Sequence, residues 1–187
     1  LVKHFGNFDI MGVDTISGGT GPDYNLLLKI DRDGNYLWSE VFEGATSEYF
    51  TSFEVDERDN IYLLGSIIGT VTFFDTIIAT TDITTHDSQS IILKIDADGH
   101  FVWVSHLPGD YEVTSFLDIS LAFKDEEFYV AGTLRNGTLH LSSGDIVDDN
   151  SYTTTFIIKF NSESGLECGH IVISQGINSI FKQVFKN

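Results

Sequence analysis

The chain has 187 residues, of which 42% are hydrophobic and 13% aromatic, and this composition is typical of a folded protein with a sizeable core. Ten Lys and Arg against 28 Asp and Glu leave a net charge of −18, which disfavours nucleic acid as a partner because the phosphates would be repelled. Membrane insertion is not expected, since no apolar run approaches the roughly 20 residues of a spanning helix. The single cysteine, Cys168, excludes an internal disulfide bond.

The predicted elements are short strands rather than helices. No window of eleven or more residues keeps apolar side chains at helical spacing, whereas short alternating runs rich in Val, Ile, Phe, Tyr and Thr recur throughout. In chain order these runs predict strands within residues 6–10, 26–30, 35–38, 59–66, 69–73, 113–123, 127–134, 154–160 and 166–173. Residues 138–141 are expected to extend the strand at 127–134 after a bend at Asn136-Gly137.

A repeat with a period of 65 residues organises these strands. LLKIDRDGNYLW at 27–38 recurs as ILKIDADGHFVW at 92–103 and, more weakly, as IIKFNSESGLEC at 157–168, so that the three central lysines are Lys29, Lys94 and Lys159. A Tyr-x-x-Gly strand ends at Gly65 in one copy and at Gly132 in the next. A fixed period of this length indicates an array of one supersecondary unit.

The array covers residues 1–187 without a linker and contains about 2.9 units, since 187/65 ≈ 2.9. Its approximate units are 1–50, 51–111 and 112–174, and 175–187 starts a further one. Each unit is expected to hold four antiparallel strands joined by tight turns, the arrangement of a β-propeller blade. The sequence therefore predicts an all-β fold of about three blades that belong to a larger ring or assembly, because closed propellers have 4–8 blades.

The repeated Asp-x-Asp-Gly segments predict hairpin turns, with Gly34 and Gly99 in the left-handed conformation. Trp38 and Trp103, at the end of the returning strands, are expected to pack between neighbouring units. In the third copy the glycine arrives one residue late, so its loop is expected to be longer. Ungapped register places Cys168 where the tryptophans stand, and predicts that it substitutes for them in the core.

Two interpretations of the three lysines stay open. In the first, the aliphatic part of each lysine packs against apolar side chains while its ammonium group pairs with a nearby acid. In the second, the three lysines together form an anion site.

The chain resembles the bacterial-type seven-bladed β-propeller repeats, which also occur in large DNA viruses. The resemblance is carried by Tyr62 and Gly65, by the Gly-Thr-x-x-Phe segment at 69–73, and by LKIDADG at 93–99 followed by Trp103. It implies a propeller fold and a secreted, cell-surface or virion-associated location. It transfers no catalytic residues, because members of the family differ in function.

No catalytic residue, cofactor site or metal site is predicted. Asp31, Asp33, Asp96 and Asp98 resemble the start of a calcium loop, but the twelfth positions are Phe42 and Leu107 rather than glutamate. A shorter calcium site in these turns remains an alternative to an ordinary hairpin. The six histidines lack zinc-binding spacing and are expected at the surface, and the glycine-rich segment 18–21 lacks the Lys-Ser of a phosphate loop.

The functional prediction is a non-enzymatic structural or binding module. Its expected partners are protein, through self-association or through further blades of the same polypeptide, and glycan. The alternative is a propeller enzyme, a lyase or glycoside hydrolase, with its acid and base near the central axis. A polar cluster present in one repeat only would favour the enzyme.

Overall fold

The computed structural model describes residues 2–4, 8–10, 14–16, 24–44, 47–73, 76–80, 89–107, 115–124, 126–134, 137–148 and 154–175. All regular structure in these ranges is β-strand, which confirms the all-β prediction. Unit 1 contributes β1 (Val2–His4), β2 (Phe8–Ile10), β3 (Asp14–Ile16), β4 (Tyr24–Ile30) and β5 (Tyr36–Gly44). Unit 2 contributes β6 (Ser47–Val55), β7 (Ile61–Ile68), β8 (Thr70–Phe73), β9 (Thr76–Thr80), β10 (Gln89–Ile95) and β11 (Phe101–Leu107). Unit 3 contributes β12 (Ser115–Lys124), β13 (Glu127–Leu134), β14 (Gly137–Leu139), β15 (Ile146–Asp148), β16 (Thr154–Asn161) and β17 (Glu167–Gln175).

Units 2 and 3 each contain a four-stranded antiparallel sheet, in the orders β6-β7-β10-β11 and β12-β13-β16-β17. These are propeller-type blades, as the sequence predicts. Unit 1 follows the same plan with β1, β4 and β5, and the β8-β9 hairpin of unit 2 attaches to the end of β5. The first strand of unit 2, β6, begins at Ser47.

Units 2 and 3 each carry a small hairpin between their second and third long strands, β8-β9 and β14-β15, and unit 1 carries β2-β3 between β1 and β4. The prediction that residues 138–141 extend the strand before them is wrong. β14 pairs with β15 from Gly137↔Asp148 to Leu139↔Ile146, in a sheet of its own. The alternating residues of β14 are visible in the sequence. Its partner β15 has only three residues, and this is too short to show the alternation that predicts a strand.

The glycines of the Tyr-x-x-Gly strands lie beside matching bulges. The register of β6 against β7 shifts between Phe50 and Ser52, opposite Gly65. The register of β12 against β13 shifts in the same way next to Gly132. A strand glycine commonly marks a bulge, where one residue of the partner strand is left over. These two repeat positions therefore set the shape of the blade.

Unit 2 is buried on both faces. Alternate residues of β7 and β10 point to opposite sides. One set packs with Leu27 and Phe42 of unit 1: Ile61, Leu63, Ile91, Leu93 and Ile95. The other set packs against unit 3: Tyr62, Leu64 and Ile92, joined by Leu107. The apolar core of the molecule thus lies between the blades.

Candidate functional site: the joints between units

The hairpin turns share one internal structure. Asp96 Oδ1 accepts hydrogen bonds from the backbone N–H groups of Asp98 at 3.0 Å and His100 at 2.8 Å. Asp31 makes the same pair of bonds in unit 1, at 2.9 and 2.8 Å. Gly34 and Gly99 follow with φ of +86° and +94°, in the left-handed region that glycine adopts most easily. The turn prediction is confirmed.

These bonds favour the charged carboxylates. The pKa of Asp31 lies below its ordinary value, chiefly because Asn35 donates from its side chain and its backbone. Burial raises the pKa of Asp96, but the hydrogen bonds from His100 and Asp98 outweigh this effect and lower it overall. The acids that recur in the repeat are therefore used to close the turns.

The third turn is one residue longer, as expected, and it changes the register of the strand that follows. Asn161 takes the place of the aspartate and accepts from the backbone N–H of Ser164 at 2.8 Å. Lys159 then pairs with Gly169, whereas Lys29 pairs with Trp38 and Lys94 with Trp103.

The prediction that Cys168 replaces a tryptophan was wrong for this reason. Gly169 occupies the tryptophan position, and Cys168 occupies the extra position of a bulge that Leu37 and Val102 occupy in the other units. Its side chain is exposed. Desolvation raises the pKa of its thiol, so the thiolate of a reactive cysteine is not favoured.

A lysine and a tryptophan of each preceding unit bind one backbone carbonyl in the next turn. Lys29 Nζ donates to the carbonyl oxygen of Ala97 at 2.7 Å, and Trp38 Nε1 donates to the same oxygen at 3.3 Å.

The geometry repeats between units 2 and 3. Lys94 Nζ lies 2.9 Å and Trp103 Nε1 lies 3.2 Å from the carbonyl oxygen of Ser162. A carbonyl oxygen has two lone pairs and can accept both donors. We call each such arrangement a joint.

Each joint also requires its glycine. A Cβ atom on Gly99 would lie 3.0 Å from the Trp38 ring, and one on Gly165 would lie 2.6 Å from the Trp103 ring. The indole therefore lies directly on the glycine of the next turn. This confirms that the tryptophans pack between units. Gly34, by contrast, has nothing within 4 Å of its Cβ position.

Lys94 is a buried cation, with 3% of its surface exposed. Besides the Ser162 carbonyl, it has the Glu163 carboxylate at 3.8 Å and the Tyr62 ring at 5.5 Å from its centroid. A buried charge needs such partners, because its desolvation is otherwise costly. The expectation that each ammonium group extends to an acid needs correction here: in both joints the ammonium group lies closest to a backbone carbonyl, which the sequence could not identify.

The ammonium group of Lys159 does reach a nearby acid, as expected. Its Nζ donates to Glu127 Oε1 at 2.8 Å, and both side chains are about one-third exposed. The hydrogen bond that Lys159 donates to Glu127 raises the pKa of Lys159. The three lysines are thus engaged at separate places, and the alternative of a shared anion site gains no support from their contacts.

The weak metal candidates lie in the turns. Asp96, Asp98 and His100 have ligand atoms within 4.8 Å of one another. Both oxygens of Asp96 already contact His100 or a turn amide, and Asp33 and Asp98 are exposed. The calcium alternative stays a prediction. His100, His106 and His140 are exposed as expected, while residues 18–21 and 177–187 lie outside the described ranges.

A polar cluster occurs in unit 3 without a counterpart in the repeat signature. Ser143 Oγ lies 3.0 Å from His170 Nδ1, and Glu167 accepts hydrogen bonds from Ser142 and Ser143. Burial raises the pKa of Glu167, but the bonds from these serines outweigh that effect and hold it below its ordinary value. This cluster could not be predicted from the sequence, because Ser143 and His170 are 27 residues apart and match no motif.

A shallow groove of about 130 Å³ lies between the turns of units 2 and 3, lined by Asp56, Glu57, Arg58, Glu126, Ser162 and Glu163. An ion pair between Arg58 and Glu163, 2.9 Å long, connects the two turns beside it. Among the described residues, no helix is long and apolar enough to cross a membrane.

The two turn glycines Gly165 and Gly34 should respond differently to alanine. Gly34→Ala should cost roughly 1–2 kcal/mol of unfolding free energy through left-handed strain alone. Gly165→Ala should cost about 1–3 kcal/mol more, because its Cβ meets the Trp103 ring. Urea unfolding of both variants measures the difference, and equal losses would show that the indole does not rest on the glycine.

Because Lys94 and Trp103 donate to the same carbonyl oxygen, their substitutions should have non-additive effects on the free energy of unfolding. Lys94→Met and Trp103→Phe each leave one donor on the Ser162 oxygen, whereas the double variant leaves this buried oxygen with neither. The double variant should lose roughly 1–3 kcal/mol beyond the sum of the single losses. Urea unfolding of the four proteins tests this. Arg58→Met, which breaks only an exposed ion pair, is the control and should cost at most about 1 kcal/mol. If the losses of unfolding free energy were strictly additive, the shared acceptor of Lys94 and Trp103 would be contradicted.

Comparison with known proteins gives one distant relationship and no family assignment. No protein-family model matches the chain. A WD repeat-containing protein of Acanthamoeba polyphaga mimivirus is 25% identical over 170 residues, which cover 80% of this chain. The chain spans 12% of the length of that relative. WD repeats form propeller blades of four strands, and the similarity therefore agrees with the blade architecture described above.

Proposed function

We propose that the chain is a non-enzymatic β-propeller-type module that binds protein through its connecting loops and through two end faces, the outer faces of units 1 and 3. The observation that carries this proposal is the pair of joints. In both joints the residue types that hold one unit on the next are Lys, Trp and Gly, which recur at the repeat period. The repetition is thereby explained by assembly of blades, with no chemical step required.

The similarity to a viral WD repeat-containing protein supports the same interpretation, since stacked repeats offer extended surfaces for protein partners. The proposed partners are copies of this chain or further blades of one polypeptide, with glycan as a further ligand class. The finer family, the bacterial-type seven-bladed repeats, and a secreted, cell-surface or virion location are part of the proposal. They rest on the resemblance of the repeat motifs.

The rival function is an enzyme, and one observation favours it. The Ser143–His170 contact, with Glu167 beside it, is the kind of repeat-specific polar cluster that catalysis requires. However, Ser143 is exposed and Glu167 bonds the serines rather than the histidine. A serine nucleophile needs a base that is itself oriented by a third group. This arrangement supports a loop contact better than a catalytic triad.

Selection of displayed random peptides on the folded chain, followed by amide exchange of the bound complex, tests the proposal against its rival. We expect enriched peptides whose binding protects backbone amides at the end faces or loops. In parallel, the wild type and His170→Ala are assayed on ester, glycoside and uronate-polysaccharide substrates, and no turnover is expected. Turnover that His170→Ala abolishes, without any enriched peptide, would overturn the module in favour of the enzyme.

A further inference from the structure

The array has two end faces that correspond to the two sides of its internal joints. The head face belongs to unit 1 and consists of Leu28, Ile30, Tyr36 and the turn Asp31–Asn35. The tail face belongs to unit 3 and consists of Tyr129, Ile157, Lys159, Gly169 and Ile171. Strand pairing defines both sets, because Ile30 pairs with Tyr36, Lys159 with Tyr129 and Gly169, and Ile157 with Ile171.

The head face presents the acceptor half of a joint. Its turn has the same internal bonds as the turn at Asp96, and its glycine has the same left-handed φ. The space over Gly34, where a preceding unit would lie, contains no atom of the described residues within 4 Å of the Cβ position. Ile30 is 51% exposed, whereas Ile95, the equivalent residue of unit 2, is fully buried.

The tail face presents the donor half. Lys159 stands in the position of Lys94, and Tyr129 in the position of Tyr62. Ile171 is 63% exposed on the same side of the sheet. Both side chains of the Lys159–Glu127 pair are about one-third exposed, so the pair contributes little to stability and Lys159 can exchange Glu127 for another acceptor.

The two faces are also complementary in charge. In the joint between units 2 and 3, Lys94 lies 3.8 Å from Glu163, the third residue of the receiving turn. The third residue of the head turn is Asp33. A tail lysine placed on this turn would meet both the Arg32 carbonyl, which corresponds to those of Ala97 and Ser162, and the Asp33 carboxylate.

We infer that the tail face of one molecule binds the head face of a second copy, so that Lys159 forms a third joint with the Asp31–Asn35 turn. The inference rests on the proposed function and specifies its protein partner and contact. The contact uses different surfaces on the two copies, and it therefore builds either a closed ring or an open filament. Because Gly169 replaces the tryptophan, this joint lacks the indole and should be weaker than the internal ones.

Two variants that each block one end provide the test. Ile30→Asp blocks the head and Ile171→Asp blocks the tail, each through an exposed side chain. Sedimentation equilibrium is measured in about 0.5 M salt, where repulsion between the acidic chains is screened. The wild type should associate with rising concentration. Each variant alone should be monomeric, with the dissociation constant raised at least tenfold, whereas an equimolar mixture should form a dimer and nothing larger.

Two further variants and one control refine the result. Glu127→Gln releases Lys159 and should tighten the association of the otherwise unchanged chain several-fold, while Lys159→Met should weaken it. Val55→Asp, an equally exposed apolar position outside both faces, should associate like the wild type. A monomeric wild type, or a mixture of the two blocked variants that stays monomeric, would overturn the inference. Peptide binding would still be observed in that case if the proposed function is right.

Discussion

The arrangement of the blades depends on one backbone carbonyl in each receiving turn, which accepts a lysine and a tryptophan from the preceding unit. The joint combines three demands that must be met together. The turn must be closed so that its carbonyl points outward, its glycine must leave room for the indole, and the buried lysine must find acceptors. The joint between units 2 and 3 meets the first two, because Asn161 accepts from a turn amide and a Cβ atom on Gly165 would lie 2.6 Å from the Trp103 ring. It meets the third because Lys94, 3% exposed, lies 2.9 Å from the Ser162 oxygen. The aspartate or asparagine at the start of each receiving turn is also part of the joint, because its hydrogen bonds to the turn amides hold the carbonyl in place.

Much of this could be predicted from the sequence, because the repeat signals are local. The period of 65 residues identified the blades, the Asp-x-Asp-Gly segments identified the turns, and the tryptophans were correctly expected between units. The partner of the lysines could not be predicted. Their acceptor is a main-chain atom 68 positions further along, carried by Ala97 in one joint and Ser162 in the other, and a backbone carbonyl leaves no residue signal.

The errors came from ungapped comparison and from elements too short to show a period. One additional residue in the turn after Asn161 moves Gly169 into the tryptophan position and turns Cys168 outward. The Ser143–His170 contact depends on the β14-β15 hairpin, which the sequence analysis did not resolve. The exposed cysteine and this contact both belong to unit 3. The unit whose sequence departs furthest from the repeat therefore also carries surface features that the repeat does not predict.

The end faces and the joints are consequences of the same geometry. The central blade, unit 2, buries Lys94 and Ile95, whereas their equivalents in the outer blades, Lys159 of unit 3 and Ile30 of unit 1, are accessible. A repeat array of this kind presents one acceptor end and one donor end, and this polarity provides a physical basis for ordered assembly with protein partners. Function would then depend on which chain supplies the next blade.

Exchange of the two indole N–H protons, followed by NMR, tests the joints most directly, since Trp38 and Trp103 are the two tryptophans of the chain. Both protons are donated to main-chain carbonyls across a boundary between units. Both should therefore exchange orders of magnitude more slowly than in an unfolded peptide, and at rates that follow the unfolding of the array. Exchange of either proton at the unprotected rate in the folded protein would contradict the account.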